Sequence, residues 1–376
     1  MFHKVTVEGV TGDNLEVTPT LEEQNFNGVY TSVSVDAIEG EEITITPSEE
    51  DQFADGVYTK VTVLGVPTPE FNANIVPQAT FTVTTAVTEI GDLDCLNVTS
   101  MRSGFAGCEN LTSINLKNTS HLSDLYYLFN GCKKLIKFNE NNELDCSSAT
   151  DLGYLFAGCE NLTSIKLKNT SNASNIGNIC KTCKSLVSFE IDDTSKVDSM
   201  SSAFASCKAL KEITLDCPNV TSMASMFEEN TGIEKITLTN TSKVKNMSRM
   251  FGMGWGNTPK LKTISQLDAS SCTNLSSTFM SCAALTDFGG LINIGKGYTQ
   301  ASNNYSSYKI DLSACTLLTH DSLMNVINGL YDLNLTYNVA GGGTLYTQTL
   351  KLGSTNLAKL TADEIAIATN KGWNVS

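Results

Sequence analysis

The sequence predicts a mostly β protein with short helices, in which a small N-terminal β-repeat domain is followed by a solenoid of stacked repeats and an α/β C-terminal cap. Three observations carry this prediction. An ungapped 28-residue repeat opens the chain, a Phe then recurs every 23 to 28 residues among fixed apolar offsets, and after Leu291 that pattern stops and helix-cap signals begin. Self-similarity of this kind outranks any local propensity, because each repeat is one structural unit that needs its neighbours to bury its apolar face.

The first repeat aligns residues 13 to 40 on residues 41 to 68, pairing Pro19 with Pro47, Gln24 with Gln52, Gly28 with Gly56 and Tyr30 with Tyr58. The opening HKVTVEGVTG matches the second half of the same unit, so Val5, Val33 and Val61 coincide. Period-2 alternation, as in Val33 with Val35 and Val61 with Val63, reads as strand, loop and second strand in each copy. Residues 1 to 68 are therefore expected to form a small β module, and residues 69 to 95 a linker with a covering strand.

The second repeat begins near Leu96. Its anchors are Phe105, Phe129, Phe156, Cys180, Phe204, Phe227, Phe251 and Phe279, separated by 24, 27, 24, 24, 23, 24 and 28 residues. Around the first anchor the apolar positions are Val98, Met101, Cys108, Leu111, Ile114 and Leu116, and around the fifth they are Val197, Met200, Cys207, Leu210, Ile213 and Leu215. The early part of each repeat, as in VTSMRSGF, spaces apolar residues three or four apart and predicts a helical or 3₁₀ turn. The late part, as in SINLKN, alternates and predicts one strand of a parallel sheet. Eight such repeats over 96 to 291 would make a solenoid roughly 35 to 40 Å long at about 4.8 Å per strand.

Beyond Leu291 a polar stretch, NIGKGYTQASNNYSSYK, leads into the expected cap over residues 292 to 376. Thr319 is positioned to N-cap a helix carrying Leu323, Val326, Ile327 and Leu330 on one face. LYTQTLKLG reads as a strand, and Thr361 with Glu364 forms a capping box before a last helix closed by Gly372.

The unit MxxxFxxCxxLxxIxL, present as MRSGFAGCENLTSINL and MSSAFASCKALKEITL, resembles the BspA-like class of leucine-rich repeats found in bacterial surface proteins and in phage structural proteins. The unit ITPSEEDQxxxGVYTKVTV looks like modules of phage tail and other virion-associated proteins, and the ending from LTHDSLMNVINGLYDL onward is similar to the cap that accompanies such repeats in phage proteins. Cys180 in place of the anchor Phe, Asn230 in place of the repeat Cys and the insertion GMGWGNTPK depart from the pattern locally. The resemblance implies a display role on a surface, either as an adhesin or as a virion part.

Charge and composition narrow the function classes. A formal net charge of −15, with Lys and Arg scattered, disfavours nucleic acid and anionic lipid as partners. The start MFHKVTVEGV lacks the apolar run of a signal peptide, which sets the expectation of an unexported chain with reduced thiols. The CxxC pair Cys180 and Cys183 coincides with repeat positions, so its cysteines read as small buried hydrophobes and not as a redox or zinc pair. Asn sequons such as Asn110, Asn161, Asn219 and Asn274 also recur at repeat positions and read as turn residues. With only His3, His121 and His320, and no nucleophile, phosphate-binding or metalloprotease motif, an enzyme is not expected and neither is a cofactor or metal.

The strand face should carry a solvated mixture of charges, among them Lys117, Lys137, Lys166, Lys168, Glu190, Asp192, Glu212, Asp216 and Lys235. Rigid aromatics among small polar residues, the composition of adaptable binding surfaces, occur instead at Trp255, Tyr298, Tyr305 and Tyr308, which are the candidate receptor-binding residues. The expected function is a phage virion protein, tail- or capsid-associated and assembled in the host cytoplasm. The N-terminal module would hold other virion proteins and the solenoid would meet a host-surface glycan or protein, without membrane insertion, and the chain could form a homo-oligomer. The alternatives are a bacterial cell-surface adhesin and a purely structural decoration protein.

Overall fold

The computed structural model describes the backbone of seven short strands before residue 88, and residues 88–95, 98–252, 260–296, 309–337 and 348–376. The protein is mostly β with a few short helices, and its strands pair in parallel. The chain divides into two compact units, Met1–Asp193 and Thr194–Ser376, so the division falls within the second repeat region.

The N-terminal unit opens with β1 (Val5–Val7), β2 (Leu15–Val17), β3 (Val33–Asp36), β4 (Glu42–Ile45), β5 (Lys60–Leu64), β6 (Glu70–Ala73) and β7 (Thr80–Val83). One parallel sheet runs β1-β3-β5-β7 and a second runs β2-β4-β6. Register follows the sequence period, with Val5 opposite Val33 and Val33 opposite Val61. In the second sheet Leu15 faces Ile43 and Ile43 faces Phe71, again 28 residues apart. The segment 69 to 95, read as a linker with a covering strand, thus supplies β6 and β7 to these sheets and then β8 (Glu89–Asp94), which pairs with the first strand of the second repeat.

That strand is β9 (Ser113–Lys117), followed in this unit by β10 (Lys137–Phe138), β11 (Glu143–Asp145), β12 (Ser164–Lys168) and β13 (Ser188–Ile191). Each lies parallel to its neighbour, and Ile165 pairs with Phe189 as Ile114 pairs with Phe138. The strand side chains alternate: Ile114, Leu116, Ile165 and Leu167 are buried, and the residues between them reach the surface. The anchors Phe105, Phe129 and Phe156 are fully buried and stack as a column, 5.4 Å and 5.5 Å between centroids. Each such burial contributes about 2–3 kcal/mol, which a single isolated repeat has no means to realise.

The early part of each repeat is not a helix. Its bonds of the i to i−3 kind are present, such as Gly104 N–H to Met101 O at 2.9 Å and Cys108 N–H to Phe105 O at 3.1 Å. The alternate N–H groups, of Met101, Ser103, Phe105 and Gly107, instead donate to Asp124, Tyr126, Leu128 and Asn130 of the next repeat. Left-handed residues two before and two after the anchor make this possible, since they turn those peptides across the stack. Apolar spacing of three to four residues predicts a helical or 3₁₀ turn, and the i to i−3 bonds are of the 3₁₀ kind, although the alternate bonds across the stack keep the segment from being a continuous helix.

The C-terminal unit repeats the scheme with β14 (Glu212–Asp216), β15 (Lys235–Thr239), β16 (Thr263–Ile264), β17 (Leu267–Asp268), β18 (Asp287–Phe288) and β19 (Leu291–Ile292). One parallel sheet runs β14-β15-β16-β18 and a ladder joins β17 to β19. Phe204, Phe227, Phe251 and Phe279 form its anchor column, 5.7–6.2 Å apart. There follow β20 (Lys309–Asp311), α1 (His320–Gly329), α2 (Asn334–Tyr337), β21 (Gln348–Lys351), α3 (Gly353–Leu357), α4 (Ala362–Asn370) and β22 (Trp373–Val375). As the sequence predicts, the Thr319 hydroxyl accepts from Ser322 N–H, Leu323, Val326 and Ile327 are buried, and Thr361 with Glu364 closes a capping box. Gly372, at φ 83°, ends α4.

Candidate functional site

The scaffold of the site is a set of columns in which equivalent residues of successive repeats lie side by side. Two residues before each anchor the backbone is left-handed, at Ser103, Tyr127, Tyr154 and Asn178 in the N-terminal unit and at Ser202, Ser225, Arg249 and Ser277 in the C-terminal one, with φ of 54–62°. Asn accepts this conformation more readily than most residues, whereas other non-glycine side chains held there cost about 1–3 kcal/mol. Two consecutive repeats nevertheless place Tyr at this position.

Tyr127 and Tyr154 stack with centroids 4.4 Å apart and planes 9° from parallel. Tyr126, one residue earlier in the second repeat, meets Tyr127 edge-on at 4.3 Å and Tyr154 at 5.8 Å. The guanidinium of Arg102 lies 4.2 Å from the Tyr126 centroid and bonds the Asp124 carboxylate at 3.2 Å. Beyond Tyr126 is Gly153, where an added Cβ would come within 2.9 Å of the Tyr126 ring, so the glycine makes room for it. The three tyrosines are half-buried. A hydrogen bond to Tyr126 holds the Tyr127 phenol above its ordinary pKa, opposed by a bond from Tyr154 and by the Arg102 charge.

A polar column borders the rings. Asp124 Oδ1 accepts from Tyr126 N–H at 3.1 Å, Asp151 Oδ1 from Gly153 N–H at 2.9 Å and Asn175 Oδ1 from Gly177 N–H at 2.8 Å. Asn175 Nδ2 also donates to Asp151 Oδ1, leaving Asp151 Oδ2 without a partner among the described residues. The patch therefore combines aromatic faces with a carboxylate, an amide and phenolic hydroxyls, a set suited to holding a polar ligand with one flat apolar side.

Residues 77–192 and 186–290 match the family described as "Mycoplasma protein of unknown function, DUF285". The chain belongs to the DUF285 family. The two matches together span more than half of it and coincide with the repeat motif that resembles the BspA-like class. The tyrosine patch lies inside the first DUF285 match. No curated protein matches the chain significantly. A solved structure titled "Crystal structure of TLR13-ssRNA13 complex" aligns at 11% identity over 97% of this chain and 77% of that one, with a TM-score of 0.14, too low to support any inference.

The charged strand face of these DUF285 repeats is largely occupied by its own pairs, each joining neighbouring repeats. On the strand face Lys168 meets Asp192 at 3.1 Å and Lys166 lies between Glu143 and Glu190 at 3.9 and 3.5 Å, and in the turns before the strands Lys133 meets Glu109 at 2.6 Å and Lys184 meets Glu160 at 2.7 Å. Lys117 pairs with Asp92 and, with Asn115, holds that carboxyl below its ordinary pKa. A shallow cleft of about 490 Å³ over β8, β9 and β10 is lined by Asp92 and Asn115 together with Lys137, Asn139 and Glu140.

All twelve cysteines are buried as thiols. Cys132, Cys159 and Cys183 donate Sγ–H to the anchor carbonyls of the preceding repeats, Phe105, Phe129 and Phe156, at 3.1–3.2 Å. Burial pushes the Cys108, Cys217 and Cys315 thiols up to about 12. Asn230, standing where the repeat Cys belongs, makes the same bond with Nδ2 to Phe204 O at 2.7 Å. Among the described residues no His, Cys, Asp and Glu cluster could hold a metal, and no helix is long and apolar enough to cross a membrane.

Trp255, Tyr298, Tyr305 and Tyr308, the receptor-binding candidates from sequence, lie outside the described residues. Sequence reasoning passed over Tyr126, Tyr127 and Tyr154. The signal that finds them is a comparison of repeats position by position, in which Tyr stands against Ser, Asn or Arg two residues before the anchor.

Proposed function

We propose that this DUF285 chain is a non-catalytic display protein whose repeats form a solenoid, carried on a phage particle as a tail- or capsid-associated part. The N-terminal 28-residue repeats attach it to other virion proteins, and the tyrosine patch meets the host surface. The observation that carries the reading is the investment in Tyr127 and Tyr154 at left-handed backbone positions where other repeats use Ser, Asn or Arg. The left-handed backbone is common to all the repeats, so what is particular to this place is the cluster of stacked aromatic faces, a group of side chains suited to recognition. Inter-repeat ion pairs on the strand face and thiols inert through burial support a scaffold role for the rest.

The alternative is a bacterial cell-surface adhesin, favoured by the family's description as a Mycoplasma protein. A mass-spectrometric inventory of purified virions, set against an envelope fraction of the bacterium, separates the two. Recovery from particles is the expected result, and recovery from the envelope alone overturns the phage assignment. Recovery from particles whose adsorption is unchanged by loss of the chain favours a decoration protein without a receptor.

A further inference from the structure

We propose that the patch formed by Tyr126, Tyr127 and Tyr154 with Asp151 and Asn175 is a binding site for a neutral saccharide. This rests on the display reading and names the chemistry of what is displayed to. The two stacked rings lie along the direction in which repeats follow one another, so each uses one face on the other. The next repeat carries no aromatic at this position, where Asn178 follows Gly177. Tyr154 is half-buried, so part of its ring reaches solvent. A pyranose presents an edge of C–H groups of slightly positive potential, and the face of a phenol is negative, so the two pack flat.

The border of the ring selects the class further. Asp151 Oδ2 is an acceptor with no partner among the described residues, and Asn175 Nδ2 offers a second hydrogen beyond the one given to Asp151. Adjacent sugar hydroxyls, each both donor and acceptor, satisfy such a pair. Anionic ligands are opposed by the Asp124 and Asp151 carboxylates and by a net charge of −15, while Arg102 is already engaged by Asp124 and Tyr126. A protein partner needs roughly 1,000 Å² with an apolar centre, whereas these rings are rimmed by carboxylates, amides and glycines.

The test uses the full chain against immobilised neutral gluco-, galacto- and manno-oligosaccharides and their sialylated counterparts. At least one neutral probe should bind, and Tyr154→Ser should weaken it about tenfold or more, as expected for a desolvated aromatic contact. Tyr154→Phe should keep most of the affinity, because the ring face remains. Asp151→Asn should weaken binding without loss of stability, since Asn Oδ1 accepts from the i+2 N–H as Asn175 does. Melting temperatures of the Asn and Phe variants should stay within about 2 °C of the parent. No binding to any neutral probe, binding only to sialylated probes, or binding indifferent to Tyr154→Ser overturns the proposal. None of those results touches the virion assignment, which the particle inventory decides separately.

Discussion

Asn230 interrupts the cysteine column, and replacing it with the repeat's own residue should stabilise the protein. Its Nδ2 reproduces the bond that the cysteines make, to Phe204 O at 2.7 Å, but its Oδ1 is buried without a partner. A desolvated, unpaired amide oxygen costs about 1–3 kcal/mol. Asn230→Cys removes that oxygen and keeps a weaker donor toward the same carbonyl, giving back part of a bond worth about 1 kcal/mol. The net gain should be about 1–2 kcal/mol, seen as a higher urea midpoint at unchanged slope. The reciprocal change, Cys159→Asn, places an unpaired oxygen in a site that is 0% exposed and should cost about 2–4 kcal/mol. If Asn230→Cys leaves the midpoint where it was and Cys159→Asn is tolerated, the column is not governed by hydrogen-bond satisfaction and this reasoning fails.

Gly232→Ala should destabilise the C-terminal unit by about 1–3 kcal/mol, because the new Cβ would stand 1.9 Å from the Lys208 carbonyl oxygen, a backbone atom with nowhere to go; an unchanged unfolding midpoint would contradict that geometry. Ellman's reagent at pH 8 should find almost no reactive thiol in the native protein and all twelve in denaturant, given burial that lifts Cys108, Cys217 and Cys315 to about 12; rapid native labelling would show that the columns open. His320 Nε2 lies 2.9 Å from Glu364 Oε1, and that bond, then Asp321, raises the imidazole above its ordinary 6.5. Its stabilisation is full below about pH 6.5 and lost as pH rises through the raised native value. Glu364 is lowered, first by Thr361 N–H, so its share is present above about 4.5 and lost as pH falls. The cost of His320→Gln in a chemical melt should therefore be larger at pH 5.5 than at pH 8.5, and equal costs at both would remove the ion pair from the account.

The periodic parts of this fold are legible because register and period are the same quantity. A 28-residue repeat puts Val33 against Val61, and a Phe every 24 residues puts ring on ring, without any information about the path between. Cap chemistry is equally local, so Thr319 and Thr361 announce their helices. The left-handed positions are not legible, since Ser103, Tyr127, Asn178 and Arg249 share a φ that no residue type among them demands. The tyrosine patch was hidden for a related reason. Tyr126 and Tyr154 are 28 residues apart, and only the stacking direction makes them neighbours, whereas density of aromatics along the chain points to Trp255, Tyr298, Tyr305 and Tyr308.

At the anchor residues the inter-repeat N–H groups point one way, from Phe105 to Leu128, Phe129 to Leu155 and Phe156 to Ile179, and likewise from Phe204 to Met226 and Phe227 to Met250. The dipoles of this row of anchor peptides therefore add as they do along a helix. Such a ladder has a head and a tail: a whole repeat of about 24 residues can be duplicated or lost in frame with every bond type restored across the junction, but a repeat cannot be reversed, and a fraction of one leaves donors facing donors. Length is thus a heritable variable counted in whole repeats, and a repeat gained or lost inside one unit lengthens or shortens that unit's own stack by one strand spacing, about 4.8 Å.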